Sequence, residues 1–303
     1  MSGPGVGASI RQRLLNKAHQ QVRPFQEILQ FYAMERFLYR LSLSPIAEEF
    51  VLKGALLLAA WRAPQARPTM DIDLAGRTSN SLEHIAEVML AVCHQPSEGD
   101  GIEFLSNTIE TMRIKEDSEY EGVRVRLEAT LAKARIRLQI DIGFGDVIVP
   151  APVSLEYPTL LDLPAPVIRA YSKETVIAEK LEALVTLGLL NSRLKDYYDI
   201  ALLARLYAFD GEQLLGSLLA TFRHRGTSIE AEPVGLSAAY ARDPARATQW
   251  RAFVRRNRFT GESHDLAVLV TEVRRFADPL LATAAHSRGF PARWPAGGPW
   301  ETR

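Results

Sequence analysis

The 303-residue sequence has the composition of a folded protein, since 47% of its residues are hydrophobic and 24% are charged. This excludes disorder for most of the chain and leaves enough apolar residues for two domains. The 36 lysines and arginines balance the 36 aspartates and glutamates, so a nucleic-acid partner needs a local patch of charge. The single cysteine excludes disulfide frameworks and multi-cysteine metal sites, so a metal has to be bound by oxygen or imidazole.

The sequence shows none of the segments that direct a protein to a membrane. No apolar run reaches the ~20 residues needed to span a bilayer, and the first seven residues do not resemble a signal peptide. With the single cysteine, this predicts a cytoplasmic protein without a membrane partner. Both ends are rich in Gly, Pro and Ala, which predicts flexible tails at residues 1–20 and 291–303.

In chain order, the spacing of apolar residues over 10–41 predicts a first helical layer. A second helix-like run extends over residues 50–61 and is interrupted at Lys53-Gly54-Ala55. Residues 70–74 alternate apolar with acidic side chains, as a half-buried strand does, and residues 81–92 again have helical spacing. The first part of the chain therefore combines helices with at least one strand.

From residue 101 to 144 the period of the apolar residues becomes two, which predicts three strands. Two of these form a hairpin that pairs residues 122–131 with 135–142. Asp141 falls on the polar face of this hairpin. The predicted fold class is α+β, with a mixed sheet followed by helices.

Five prolines between residues 150 and 166 indicate the boundary between two domains. We assign residues 21–166 to the first domain and residues 167–290 to a second, α-helical domain. Ser172 is a suitable N-cap for the first helix of that second domain.

The segment Asp71-Ile-Asp73 is the first candidate site. Alternate residues of a strand point to the same face, so both carboxylates point the same way, and Asp141 can add a third acid from a neighbouring strand. Such a group suits Mg²⁺ or Mn²⁺ bound together with phosphate oxygens. The alternative is an ordinary surface strand that alternates acidic with apolar residues.

Lys180 is the second candidate, because helical spacing places it within an apolar stripe. Burying a lysine is costly unless an anion meets it. In the next helix Asp196 lies on the apolar stripe and Asp199 lies beside it. Lys180 therefore meets a ligand phosphate, pairs with one of these acids and joins the two helices, or extends its ammonium to solvent at the edge of the stripe.

Lys53-Gly54 and an arginine-rich segment are weaker candidates. A glycine beside a lysine allows backbone N–H groups to approach a phosphate. The alternatives are that Gly54 only permits close helix packing and that Lys53 is an exposed helical residue.

The segment 250–259 carries four arginines, three aromatic residues and no acid, a composition suited to binding RNA phosphates and stacking on bases. The alternative is that this run of charge is ordinary solvated surface. Its predicted RNA-binding residues are Arg251, Arg255, Arg256 and Arg258.

Taken together and in order, these segments resemble the AbiEii/AbiGii toxin nucleotidyltransferases, which include the MenT enzymes. The resemblance rests on five stretches of sequence. They are VLKGALLL (51–58), RPTMDIDL (67–74), IDIGFGD (140–146), VIAEKLEA (176–183) and LKDYYDI (194–200).

The resemblance implies a polymerase-β-like nucleotidyltransferase core and a role as the toxin of a toxin–antitoxin or phage-defence pair, with an antitoxin as partner. It implies transfer of a nucleotide from NTP to RNA, notably to the tRNA 3′ acceptor end, in a reaction that uses Mg²⁺ or Mn²⁺. This modification of RNA is expected to block translation and growth. Asp71 and Asp73 match metal-binding acids, and Asp141 matches an acid of the wider fold. Lys180 matches the lysine that contacts nucleotide phosphate, and Asp196 or Asp199 matches the downstream catalytic acid.

The sequence departs from the wider pattern at the glycine motif. Many nucleotidyltransferases have Gly-Ser where this chain has Lys53-Gly54-Ala55. Thr69 is expected to supply the missing hydroxyl, so that Lys53, Gly54, Thr69 and Lys180 form the nucleotide-binding set.

Two other functions explain part of the pattern. A metal-dependent glycosyltransferase also uses Asp-x-Asp, to bind a nucleotide sugar, but does not account for Lys180 and Asp196. In a non-catalytic RNA- or protein-binding module the acids would be structural.

Overall fold

The computed structural model describes residues 4–97, 99–115, 121–286 and 288–302. The chain forms two compact units. The first consists of Met1–Asp146 and Val153–Ala170, and the second of Val147–Pro152 and Tyr171–Arg303. The units divide at Ala170 rather than at residue 166, because the short strand Val167–Ala170 pairs within the sheet of the first unit.

The first unit contains a seven-stranded mixed sheet in the order β3-β4-β5-β2-β1-β7-β6. Strand β2 runs parallel to β5 and β1 parallel to β7, whereas the other neighbours are antiparallel. The strands are β1 Phe50–Lys53, β2 Asp71–Gly76, β3 Ile102–Lys115, β4 Glu121–Leu131, β5 Ala134–Phe144, β6 Val153–Glu156 and β7 Val167–Ala170.

Within the described part of this unit, four α-helices accompany the sheet: α1 Pro4–Gln21, α2 Phe25–Leu43, α3 Leu56–Ala60 and α4 Leu82–Cys93. The predicted flexible tail at residues 1–20 is corrected by α1, whose Ile10, Leu14 and Ala18 are buried. These three residues are four apart and form one apolar stripe, so the helix is held by burial despite its glycines.

The predicted hairpin is confirmed by the antiparallel pairing of β4 with β5. Along β5 the side chains of Ile136, Leu138 and Ile140 are buried, whereas Arg135 and Arg137 are exposed. The alternation therefore reports the two faces of this strand correctly.

The predicted helix over residues 50–61 is wrong in its first half. Residues 50–53 form β1, and α3 begins only at Leu56. All four residues of β1 are buried, so the strand lacks the polar–apolar alternation that would distinguish it from a helix.

Among its described residues, the second unit combines helices with three short strands that form a small sheet in the order β10-β9-β8. Together with the sheet of the first unit, this confirms the predicted α+β class. The predicted N-cap is also confirmed, because the Ser172 hydroxyl accepts a hydrogen bond from the Thr175 N–H at the start of the first helix. The helices are α5 Lys173–Leu187, α6 Leu194–Leu206, α7 Gly211–His224, α8 Ala238–Ala241, α9 Pro244–Asn257 and α10 Leu266–Ala285, and the strands are β8 Phe209–Asp210, β9 Ala292–Trp294 and β10 Glu301–Thr302.

The predicted flexible tail at residues 291–303 is also corrected. Trp300 stacks on Phe276 of α10, and Trp294 packs edge-on against the same ring. The Trp294 indole N–H donates to the Ala204 carbonyl at 2.7 Å. Two large aromatic residues compensate for the Gly and Pro content. None of the helices in the described ranges is long and apolar enough to cross a bilayer.

Candidate active site

Asp71 and Asp73 lie on the second strand of the first unit, between β1 and β5. In register, Asp73 faces Lys53 on one side and Asp141 on the other, and Asp71 faces Gln139. Both carboxylates lie on the same face, as predicted, and both side chains are partly exposed. Their oxygens form the donor set that a hard divalent cation prefers.

Gly54 is required by the position of Asp73. It has a φ of +74°, and a Cβ at this residue would overlap the Asp73 carboxylate. The glycine therefore lets an acidic side chain lie directly against the turn between β1 and α3. Neither structural alternative for this pair is correct, because Gly54 lies outside a helix and Lys53 is a buried strand residue.

The ammonium of Lys53 lies 2.9 Å from the Asp146 carboxylate, and both side chains are largely buried. Asp146 is a site residue that the sequence analysis did not single out, although it ends the segment 140–146 used for the resemblance. The feature of the sequence that could have indicated Asp146 is its position two residues after the end of β5. Lys53 is thus fixed by one acid while it faces another, Asp73, across the ladder.

Asp141 is paired with an arginine that the sequence analysis also missed. Arg124 donates from Nε and Nη2 to the two Asp141 oxygens at 2.8 and 2.7 Å. This hydrogen bonding raises the pKa of Arg124 although burial opposes it, and the charges of Asp71 and Asp73 add to the rise. The four charged groups therefore share one face of the sheet.

The expected three-carboxylate metal group is not assembled. Among the described residues, no cluster of three or more His, Cys, Asp or Glu side chains is arranged to hold a metal ion. Asp71 and Asp73 fit a metal bound by two protein carboxylates and substrate oxygens, whereas both oxygens of Asp141 accept from Arg124. Thr69 lies beside this pair, with its hydroxyl 3.4 Å from the Asp71 N–H.

In the second unit, Lys180 on α5 meets both acids of α6. Its ammonium is 2.7 Å from Asp196 and 2.8 Å from Asp199, and Arg193 lies 2.7 Å from the other Asp196 oxygen. Burial would raise the pKa of Asp196, but the Lys180 and Arg193 charges outweigh burial and lower it. The structure therefore shows the helix-joining arrangement that the sequence analysis gave as the alternative.

Lys180 is nevertheless not sealed from solvent. Its side chain is 13% exposed, whereas those of Asp196 and Asp199 are 0% and 1% exposed. Of the three predicted residues, the lysine is therefore the one that reaches solvent, and Arg193 beside it is 38% exposed. Lys180, Asp196 and Asp199 thus form one compact ionic group.

The arginine-rich segment divides into an exposed and a buried part. Arg251, Arg255, Arg256 and Arg258 are exposed, but Trp250 is fully buried. Trp250, Phe253 and Phe259 pack against Tyr198 of α6. The prediction of base stacking is wrong for Trp250, whose ring is buried in the core of the second unit, whereas Phe253 and Phe259 are half-buried and pack against Tyr198.

The model of the nucleotidyl transferase AbiEii toxin family, of type IV toxin–antitoxin systems, matches residues 36–277. The chain belongs to the AbiEii family of toxin nucleotidyltransferases. The matched range contains every predicted site residue of both units. An antitoxin is accordingly the partner that the AbiEii family implies.

Two solved structures from Helicobacter pylori are similar to this AbiEii chain over most of its length. JHP933 is 16% identical with a TM-score of 0.47, over 86% of this chain and 93% of its own. A candidate nucleotidyltransferase is 16% identical with a TM-score of 0.44, over 86% of this chain and 96% of its own. No match is found among the curated proteins.

Proposed function

We propose that this AbiEii enzyme transfers a nucleotide from an NTP to RNA, with the tRNA 3′ acceptor end as the RNA. The observation that carries this proposal is the Asp71–Asp73 pair, which shares one face of the sheet with Lys53 and lies against Gly54. Two carboxylates beside a glycine turn and a lysine suit a metal-bound triphosphate. Family membership favours nucleotidyl transfer over glycosyl transfer and over a non-catalytic module.

In this proposal Asp71 and Asp73 bind Mg²⁺ or Mn²⁺, which supplies charge neutralisation at the triphosphate. Lys53, Gly54 and Thr69 contact the nucleotide. The RNA hydroxyl attacks the α-phosphorus, the bond to the β-phosphate breaks, and pyrophosphate leaves. A nucleotide added to the acceptor end removes the hydroxyl that carries the amino acid, and translation and growth stop.

Lys180, Asp196 and Asp199 are proposed to act on the nucleotide as a unit. Lys180 is the member exposed to solvent, so it is the one proposed to contact phosphate. Asp196 and Asp199 position its ammonium, and one of these two is proposed as the acid that activates or orients the RNA hydroxyl. The exposed arginines 251, 255, 256 and 258 are proposed to bind RNA phosphates.

The test is incubation of the protein with each labelled NTP, Mg²⁺ and total RNA, followed by sequencing of labelled RNA ends. We expect one labelled RNA class that ends in an added nucleotide. Asp71→Ala should abolish labelling while its thermal unfolding stays near that of the wild type, because the side chain is partly exposed. Unchanged labelling by Asp71→Ala would refute the metal-binding role.

A further inference from the structure

A groove of about 740 Å³ opens beside Asp71 within the first unit. It follows the polar face of β5 and β4 away from β1, and so lies on the opposite side of Asp71 from Lys53 and Gly54. Its volume falls in the range of about 300–1,000 Å³ typical of ligand sites. Among its lining residues are Asp71, Asn107, Thr108, Arg126, Arg137 and Gln139.

An irregularity in the third strand forms one wall of this groove. The β3–β4 register places Leu105 opposite Glu128 and Glu110 opposite Arg126, so residues 106–109 bulge out against a single residue of β4. The Thr108 hydroxyl fixes the bulge, since it accepts from the Glu128 N–H at 2.9 Å and donates to the Leu105 carbonyl at 2.6 Å. Bulges of this kind often re-aim side chains next to active sites.

The polar groups of the groove suit the edges of nucleotides. Arg126 is exposed and forms no ion pair of 4 Å or less with another described residue, and Asn107 is also exposed. Arg137 lies 3.6 Å from Glu128, so the groove is mixed in charge rather than uniformly basic. Guanidinium and amide groups read bases through paired hydrogen bonds, and single-stranded RNA is recognised largely in this way.

We propose that this groove holds the last one or two nucleotides of the RNA acceptor, and this inference rests on the proposed function. Lys53 and Gly54 occupy the β1 side of the Asp71–Asp73 pair, where the triphosphate is proposed to bind. The groove begins at the same acid on the other side. Arg126 contacts the terminal nucleotide there and thereby contributes to the choice of RNA.

The test compares Arg126→Ala and Asn107→Ala with a matched control, Arg135→Ala. Arg135 is 76% exposed on β5 but does not line the groove. With one purified RNA substrate and one NTP, we expect Arg126→Ala to raise the KM for RNA about tenfold while the KM for NTP stays within twofold. Asn107→Ala should raise the KM for RNA less, and Arg135→Ala should change neither constant more than twofold.

The outcomes separate this inference from the proposed function. Wild-type labelling of RNA with an unchanged KM for RNA in Arg126→Ala would overturn the groove but leave the proposed function standing. Absence of labelling by the wild type would overturn the proposed function itself. The groove is then tested by crosslinking a short RNA that carries 4-thiouridine at its 3′ end: adducts on residues 107–110, 126–128 or 137–139 support it, and adducts elsewhere overturn it.

Discussion

Replacing Lys180 by alanine would unbalance the buried ionic group of the second unit. In the wild type the charges of Lys180 and Arg193 balance those of Asp196 and Asp199, and the Lys180 ammonium lies 2.7 and 2.8 Å from the two acids. The variant leaves one carboxylate uncompensated among side chains that are almost fully buried. Removing one partner of a buried ion pair costs about 3–5 kcal/mol, so we expect the free energy of unfolding to fall by that amount.

Urea unfolding followed by circular dichroism measures this loss, provided that the m-value stays constant. Arg193→Ala is the control, because the Arg193 side chain is 38% exposed and water screens much of its interaction with Asp196. We expect that control to lose about 1 kcal/mol or less. The double variant Lys180→Ala/Asp199→Asn restores neutrality and should recover part of the loss.

A loss below about 1 kcal/mol in Lys180→Ala would refute the view that the two acids depend on this lysine. The double variant also separates the structural from the catalytic role. If it is stable yet does not label RNA, while Asp199→Asn alone does label RNA, Lys180 acts on the nucleotide in addition to joining α5 and α6. If it is stable and labels RNA normally, the role of Lys180 is structural alone.

Three further substitutions test other parts of the structure. Gly54→Ala should lower the free energy of unfolding by more than about 1 kcal/mol and reduce nucleotide incorporation, because residue 54 has a positive φ and the added Cβ would overlap the Asp73 carboxylate. Incorporation at the wild-type level would contradict the close contact between Gly54 and Asp73. Burial raises the pKa of Glu35, on α2, from 4.5 to about 7. The protonated carboxyl therefore stabilises the folded state by up to about 3 kcal/mol below pH 4.5, and this stabilisation is lost as the pH rises to about 7. Glu35→Gln should flatten that dependence in urea titrations at several pH values, and an unchanged slope would exclude this carboxyl as its cause. Trp294→Ala should cost about 3–5 kcal/mol in urea unfolding, whereas a frayed C-terminus would tolerate it without loss.

The sequence predicts those elements whose pattern is local. Strand β5 alternates buried and exposed residues, and the Asp71–Asp73 spacing alone places both acids on one face. Strand β1 is buried on both faces and is followed by a helix, so its apolar run is read as helical. The terminal tails are misjudged because composition does not show that Leu14 and Trp294 are buried.

The unpredicted parts of the site depend on pairing between distant segments. Arg124 meets Asp141 only because β4 and β5 pair in one register, and a shift by one residue would place the two side chains on opposite faces of the sheet. Asp146 meets Lys53 across 93 residues of sequence. Trp250 and Phe259 look like RNA-stacking residues until Tyr198 is placed against them.

The bulge at residues 106–109 also affects an outer strand of the sheet. Strand β3 ends the strand order on one side, and a flat 14-residue strand there would offer a long row of backbone groups to another molecule. The four displaced residues interrupt that row, so a second chain can add only to short stretches on either side. The same local distortion thus lowers the tendency of copies of this protein to assemble edge to edge into aggregates.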